Sequence, residues 1–119
     1  MNKERLLNVA RALRESPNPD RFDMSMYVHS CGTPACALGH YAHRTDLQDV
    51  FVIDEDGDLL VREDGGLRWA QNPMTAADIH FGLAREFGNE LFDTDGCGGA
   101  ETAIEAAEYI ERFVARFEA

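Results

Sequence analysis

Val50-Phe51-Val52-Ile53-Asp54-Glu55-Asp56-Gly57-Asp58-Leu59-Leu60-Val61 is the stretch on which the fold reading turns. Two apolar runs rich in β-branched residues flank five polar ones, and Asp56-Gly57 supplies the left-handed geometry of a tight hairpin turn. Gly65-Gly66 closes the second run, and Leu67 to Trp69 reads as a third strand before the Asn72-Pro73 break. The spacing predicts a small antiparallel β-hairpin or three-stranded sheet.

Helical patterns lie on both sides. Leu6, Leu7, Val9, Ala10 and Leu13 share one face of a helix expected over 3–15, which Ser16-Pro17-Asn18-Pro19 stops. Phe22, Met24, Met26 and Val28 alternate with polar neighbours, as in an extended strip with one buried face. Thr33 as N-cap and Pro34 at the first helical position predict a second helix over 34–44. Its small residues Ala35, Gly39 and Ala42 allow close approach and imply deep burial. Thr75 and Asp78 form a capping-box-like pair before a helix expected over 76–87, with Ile79, Leu83 and Phe87 as its stripe and Gly88 as its stop. Leu91-Phe92 reads as a short anchor, and Asp93 to Gly99 as a loop. A last helix over 100–118 buries Ile104, Ala107, Ile110, Val114 and Phe117, with Phe113 beside them. The sum is an α+β fold, about four helices packed around the hairpin or sheet, in one compact domain over 1–119.

Charge narrows the function. The 119 residues carry 22 acidic against 11 basic side chains, a formal net charge of −11. That balance argues against direct nucleic-acid binding and against an anionic membrane surface, since both need cationic groups. No apolar run reaches the roughly 20 residues of a membrane span. The chain enters its first amphipathic pattern at Lys3 with no signal-peptide core, and three cysteines suit no disulfide framework. A cytoplasmic location is expected.

The densest chemistry lies between His29 and His43, which holds two of the three cysteines and three of the four histidines. An extended pair, His29 and Cys31, meeting a helical pair, Cys36 and His40, could build a tetrahedral zinc site. The spacing H-x-C-x4-C-x3-H-x2-H matches no zinc-ribbon or zinc-finger pattern. Buried cysteines with histidines at a partly exposed rim are the plainer reading. No cofactor is expected beyond that zinc. A thiol reading puts Cys36 in the first turn of its helix, with His40 as base and Asp23 or Asp46 as third member, or pairs Cys31 with Cys36 in a redox couple.

Cys31-Gly32-Thr33-x-x-Cys36-x-x-Gly39, preceded by Asp23-Met24 and Tyr27, resembles a family of short uncharacterised bacterial and phage proteins. Members have an aromatic, usually Trp, after the motif glycine, where this chain has His40. The resemblance implies a phage or mobile-element setting and a structural role for Cys31, Gly32, Thr33, Cys36 and Gly39: a turn, a cap and tight packing. It implies no activity.

Other features are plainer. Asp54–Asp58 and Asp93–Gly96 lack the spacing of an EF-hand calcium loop. His80 reads as a satisfied boundary residue, and Trp69 as core in preference to an exposed anchor. Asp54, Glu55, Asp56, Asp58, Glu63 and Asp64 cluster around the hairpin, where carboxylates can stand in for phosphates before a basic groove. The expected function is a small acidic binding or regulatory domain acting on a protein partner with a basic surface. A zinc-stabilised domain is the alternative, and a cysteine-dependent enzyme the further one.

Overall fold

A computed structural model describes residues 1–16, 20, 22, 36–44, 46–47, 50–53, 59–63, 66–69, 73–92 and 96–117, with backbone alone at 53, 59, 61, 63, 66–69 and 73–76. In chain order the elements are α1 (Lys3–Arg14), α2 (Ala37–Ala42), β1 (Phe51–Ile53), β2 (Leu59–Glu63), β3 (Gly66–Trp69), α3 (Pro73–Phe81), α4 (Arg85–Phe92), α5 (Gly96–Gly99) and α6 (Ala103–Ala115). Helix accounts for most of the described residues.

The core is built by helices. The buried face of α1, Leu6, Val9, Ala10 and Leu13, packs on Ala103, Ala106, Ala107, Ile110 and Phe113 of α6. Alanines on α6 let the two axes approach closely, and the larger side chains fill the remaining space. Asn2 caps α1 by accepting from the Arg5 N–H at 3.0 Å, and Thr102 caps α6 by accepting from Glu105 N–H at 3.2 Å. These caps supply partners for backbone donors that a helix start leaves open.

The strands lie at the margin of this core. β1, β2 and β3 pair antiparallel in that order, with Phe51 opposite Val61 and Leu60 opposite Trp69. Among the described strand side chains only Phe51 is buried; Val52 and Leu60 are half-buried and Arg62 is exposed. The expectation of an α+β fold, four helices packed around a hairpin or three-stranded sheet, is therefore overturned. The molecule is mostly helical: its centre is helix against helix, and among the described strand side chains Phe51 alone is buried in it.

Several boundaries move with it. The helix expected over 76–87 is two helices, because Gly82 turns left-handed at φ 65° and the Asn2 N–H donates to the Phe81 carbonyl at 2.7 Å. Gly88 lies inside α4, and Leu91-Phe92 forms its buried end. Ile79, expected in the core, is 78% exposed. α2 starts at Ala37, with Cys36 as N-cap in place of Thr33. The loop expected over 93–99 contains the turn α5, and α6 runs three residues inside its expected start. Its buried face is rotated from Ile104 and Phe117 toward Ala103, Ala106 and Phe113.

Candidate functional site

Two of the four proposed zinc ligands are described, and they meet at the start of α2. Cys36 is extended at φ −85° and ψ 176°, and its Sγ accepts from the Gly39 N–H at 3.3 Å. The thiol sulfur thus occupies the capping position usually taken by a hydroxyl or carboxylate oxygen. His40 Nδ1 donates to the Cys36 carbonyl at 2.8 Å, since that carbonyl can only accept. In the neutral ring Nε2 is then the acceptor, and it takes the Ser16 hydroxyl proton at 3.1 Å. A histidine fixed by an Nδ1–H to a backbone carbonyl has the tautomer that metal-binding histidines commonly use. Here the lone pair is directed at the end of α1.

Both groups are buried, and so is Gly39. His29, Cys31, Gly32 and Thr33 lie outside the described residues, as does Asp23. Asp46, the other candidate third member, is exposed and engaged elsewhere. It binds Arg44 through two hydrogen bonds, and that guanidinium holds its carboxyl down at about 2. Among the described residues no three His, Cys, Asp or Glu side chains are grouped to hold a metal ion. His43 Nδ1 donates to the Gly39 carbonyl at 3.1 Å.

The acidic hairpin residues Asp54, Glu55, Asp56, Asp58 and Asp64 lie outside the described residues, and Glu63 is placed in β2 by its backbone alone. Trp69 is likewise placed in β3 without its side chain.

The helices bring together two groups that sequence spacing left apart. His80 is buried at the junction of α1, α2, β1 and α3, with its Nε2 2.9 Å from the Tyr41 hydroxyl. Arg5 donates to the His80 carbonyl at 2.8 Å, and the His80 ring meets Phe51 and Phe81 edge-on at 5.0 and 4.8 Å. This is a satisfied polar centre in an aromatic cluster; the 3.6-residue pattern puts Ile79 on the inner face and His80 at its boundary, and gives no sign that Tyr41 receives it.

The second group is a cleft of about 230 Å³ between α5 and α6. Its floor is the turn Cys97–Gly99, three consecutive residues at φ 55°, 65° and 77°. Its wall is Glu105, Glu108, Tyr109 and Arg112 from one side of α6. Gly98 lies flush with Tyr109: a Cβ there would stand 3.0 Å from the ring. The Tyr109 hydroxyl donates to Glu90 at 2.6 Å, and Arg116 donates to the same oxygen at 2.7 Å. Burial pushes the Glu90 carboxyl up, but these two hydrogen bonds outweigh it and hold the group below its ordinary range. The Glu90 carboxylate in turn raises the Tyr109 hydroxyl. The Cys97 thiol donates to the Leu91 carbonyl at 3.4 Å, and burial pushes it up to about 12. The visible sign of this cleft in the sequence was Gly98-Gly99 ahead of a helix carrying Tyr109.

No protein-family model matches the chain, and no curated protein or solved structure does either.

Proposed function

We propose that the protein is a small acidic binding domain that captures a protein partner with a basic surface, in a phage or mobile-element setting. The observation that supports this reading is the charge: 22 acidic against 11 basic residues, with six of the acids between 54 and 64. Carboxylates so concentrated form a field that steers a cationic partner and fixes its orientation. Asp54, Glu55, Asp56, Asp58, Glu63 and Asp64 are the residues assigned to that contact.

The test replaces these six by Asn and Gln, and separately by Lys. Tagged protein is used to retain partners from a cell extract over a salt series, and retained proteins are identified by mass. Retention of a basic protein that falls with salt and is lost in both variants supports the reading. Equal retention by the Lys variant removes it.

The zinc-stabilised domain is the second reading, favoured by the tautomer of His40, whose Nδ1–H is held by the Cys36 carbonyl. Elemental analysis of tag-free protein purified without chelator tests it. One equivalent of zinc lost on denaturation supports a site with His29 and Cys31, and zinc-free folded protein rejects it.

A further inference from the structure

The α5/α6 cleft joins two unlike features, a cavity walled by charged side chains and an aromatic ring whose hydroxyl is tied to a carboxylate. At about 230 Å³ it lies below the roughly 300–1,000 Å³ of ordinary small-molecule pockets, so it suits a single side chain and not a cofactor. Among the described residues its lining carries Glu105 and Glu108 against Arg112, a balance of one negative charge. Glu105 accepts from the Glu101 N–H at 3.4 Å as part of the α6 cap, which fixes that carboxylate at the rim. Glu108 and Arg112 stand one helical turn apart on α6, and the Arg14 charge on α1 also acts on Glu108. The Tyr109 hydroxyl donates to the Glu90 carboxylate, which Arg116 also binds, so the ring is fixed in place with its hydroxyl turned to that pair. A negative ring face beside carboxylates attracts a cation.

We propose that this cleft receives one basic side chain, arginine or lysine, from the partner protein. Glu105 and Glu108 flank the cationic group, Tyr109 offers its ring, and the left-handed Cys97–Gly99 turn leaves the space open. Arg112 opposes the cation and sets the affinity lower than the carboxylates alone would give. The inference rests on the proposed basic partner, and it adds a defined receptor apart from the hairpin.

The experiment follows backbone amide resonances of isotope-labelled protein while N-acetyl-arginine amide and N-acetyl-lysine amide are added at low salt. Shifts gathered at Gly98, Gly99, Glu105 and Glu108, saturating in the millimolar range, are expected. Glu105→Gln and Glu108→Gln, both at exposed positions, each weaken binding about three- to fivefold, the scale of an exposed charge contact. Arg112→Ala tightens it about twofold or more by removing a like charge. No localised shift at about 50 mM of either probe, on the scale of a weak single-residue ligand, overturns the proposal. So does a response to acetate in place of the cations that Arg112→Ala abolishes, because the cleft would then be an anion site. These probes need no partner. Their failure alongside intact hairpin-dependent capture removes only the cleft, whereas loss of capture with intact probe binding removes the hairpin reading.

Discussion

Asp78 shows how one residue can join two helices and carry an electrostatic penalty. Its Oδ1 is buried without a hydrogen-bond partner among the described residues, while Oδ2 meets the half-exposed Arg85 at 3.2 Å. The carboxylate lies so close to α4 that a Cβ at Gly88 would overlap it, which is the reason for glycine inside that helix. Burial raises the Asp78 carboxyl, and the Arg85 charge recovers only part of the shift. A carboxyl that keeps its proton to higher pH when folded favours the folded state below the ordinary carboxylate range. That advantage is lost as pH rises through the raised value. Asp78→Asn keeps the shape and removes the charge, so it is expected to be more stable than the parent at neutral pH. The gap should close toward about pH 4, near the ordinary carboxylate value. Urea midpoints measured across that interval decide it. A variant less stable than the parent at neutral pH would mean that the Arg85 pair outweighs the burial.

Between elements, apolar contact outweighs charge. Arg14 on α1 reaches Glu111 on α6 through two hydrogen bonds of 2.7 and 2.6 Å, yet both side chains are more than a third exposed. Such pairs contribute at most about 1 kcal/mol, so Glu111→Gln should cost no more than that. Ile110, one residue earlier, is fully buried against α1, and Ile110→Ala should cost about 2–5 kcal/mol. Chemical denaturation of the two variants tests the order, and equal losses would contradict the helical core described for α1 and α6. The existence of both helices was legible, since each has a long apolar period; their caps, Asn2 and Thr102, were not read. The face of α6 was not. Reading the largest residues as the most buried favours Ile104 and Phe117, but close approach to α1 favours Ala103 and Ala106. The α3/α4 boundary was hidden for a similar reason. Gly82 and Gly88 look alike in the sequence; one bends the chain beside Met1 and Asn2, the other makes room for Asp78. Only tertiary partners distinguish them.

At the scale of the whole molecule, the apolar runs around Asp54–Asp58 drew attention to the strands but not to their marginal place. Local pattern reports that a segment is extended and is silent on which layer forms the centre. Among the described strand side chains Phe51 is the one buried, held between Tyr41 and His80 with ring centroids 6.1 and 5.0 Å away. The cysteine–histidine stretch was legible as a concentration of chemistry, and the structure gives part of it a packing role: Cys36 caps α2 and His40 bridges α2 to Ser16. That role has a measurable consequence for the thiols. Cys36 and Cys97 are both buried, so alkylation depends on opening the core and not on exposed thiolate. Burial pushes the Cys97 thiol up to about 12, which leaves little thiolate for attack at pH 8. Native protein pulsed with iodoacetamide at pH 8 and mapped by peptide mass should leave Cys36 and Cys97 unlabelled, and denatured protein should label both. Labelling confined to Cys31 would place any reactive thiol ahead of α2. Rapid native labelling of Cys97 would mean that the left-handed turn opens readily. Its contact with Tyr109, and with it the shape of the cleft, would then have to be reconsidered.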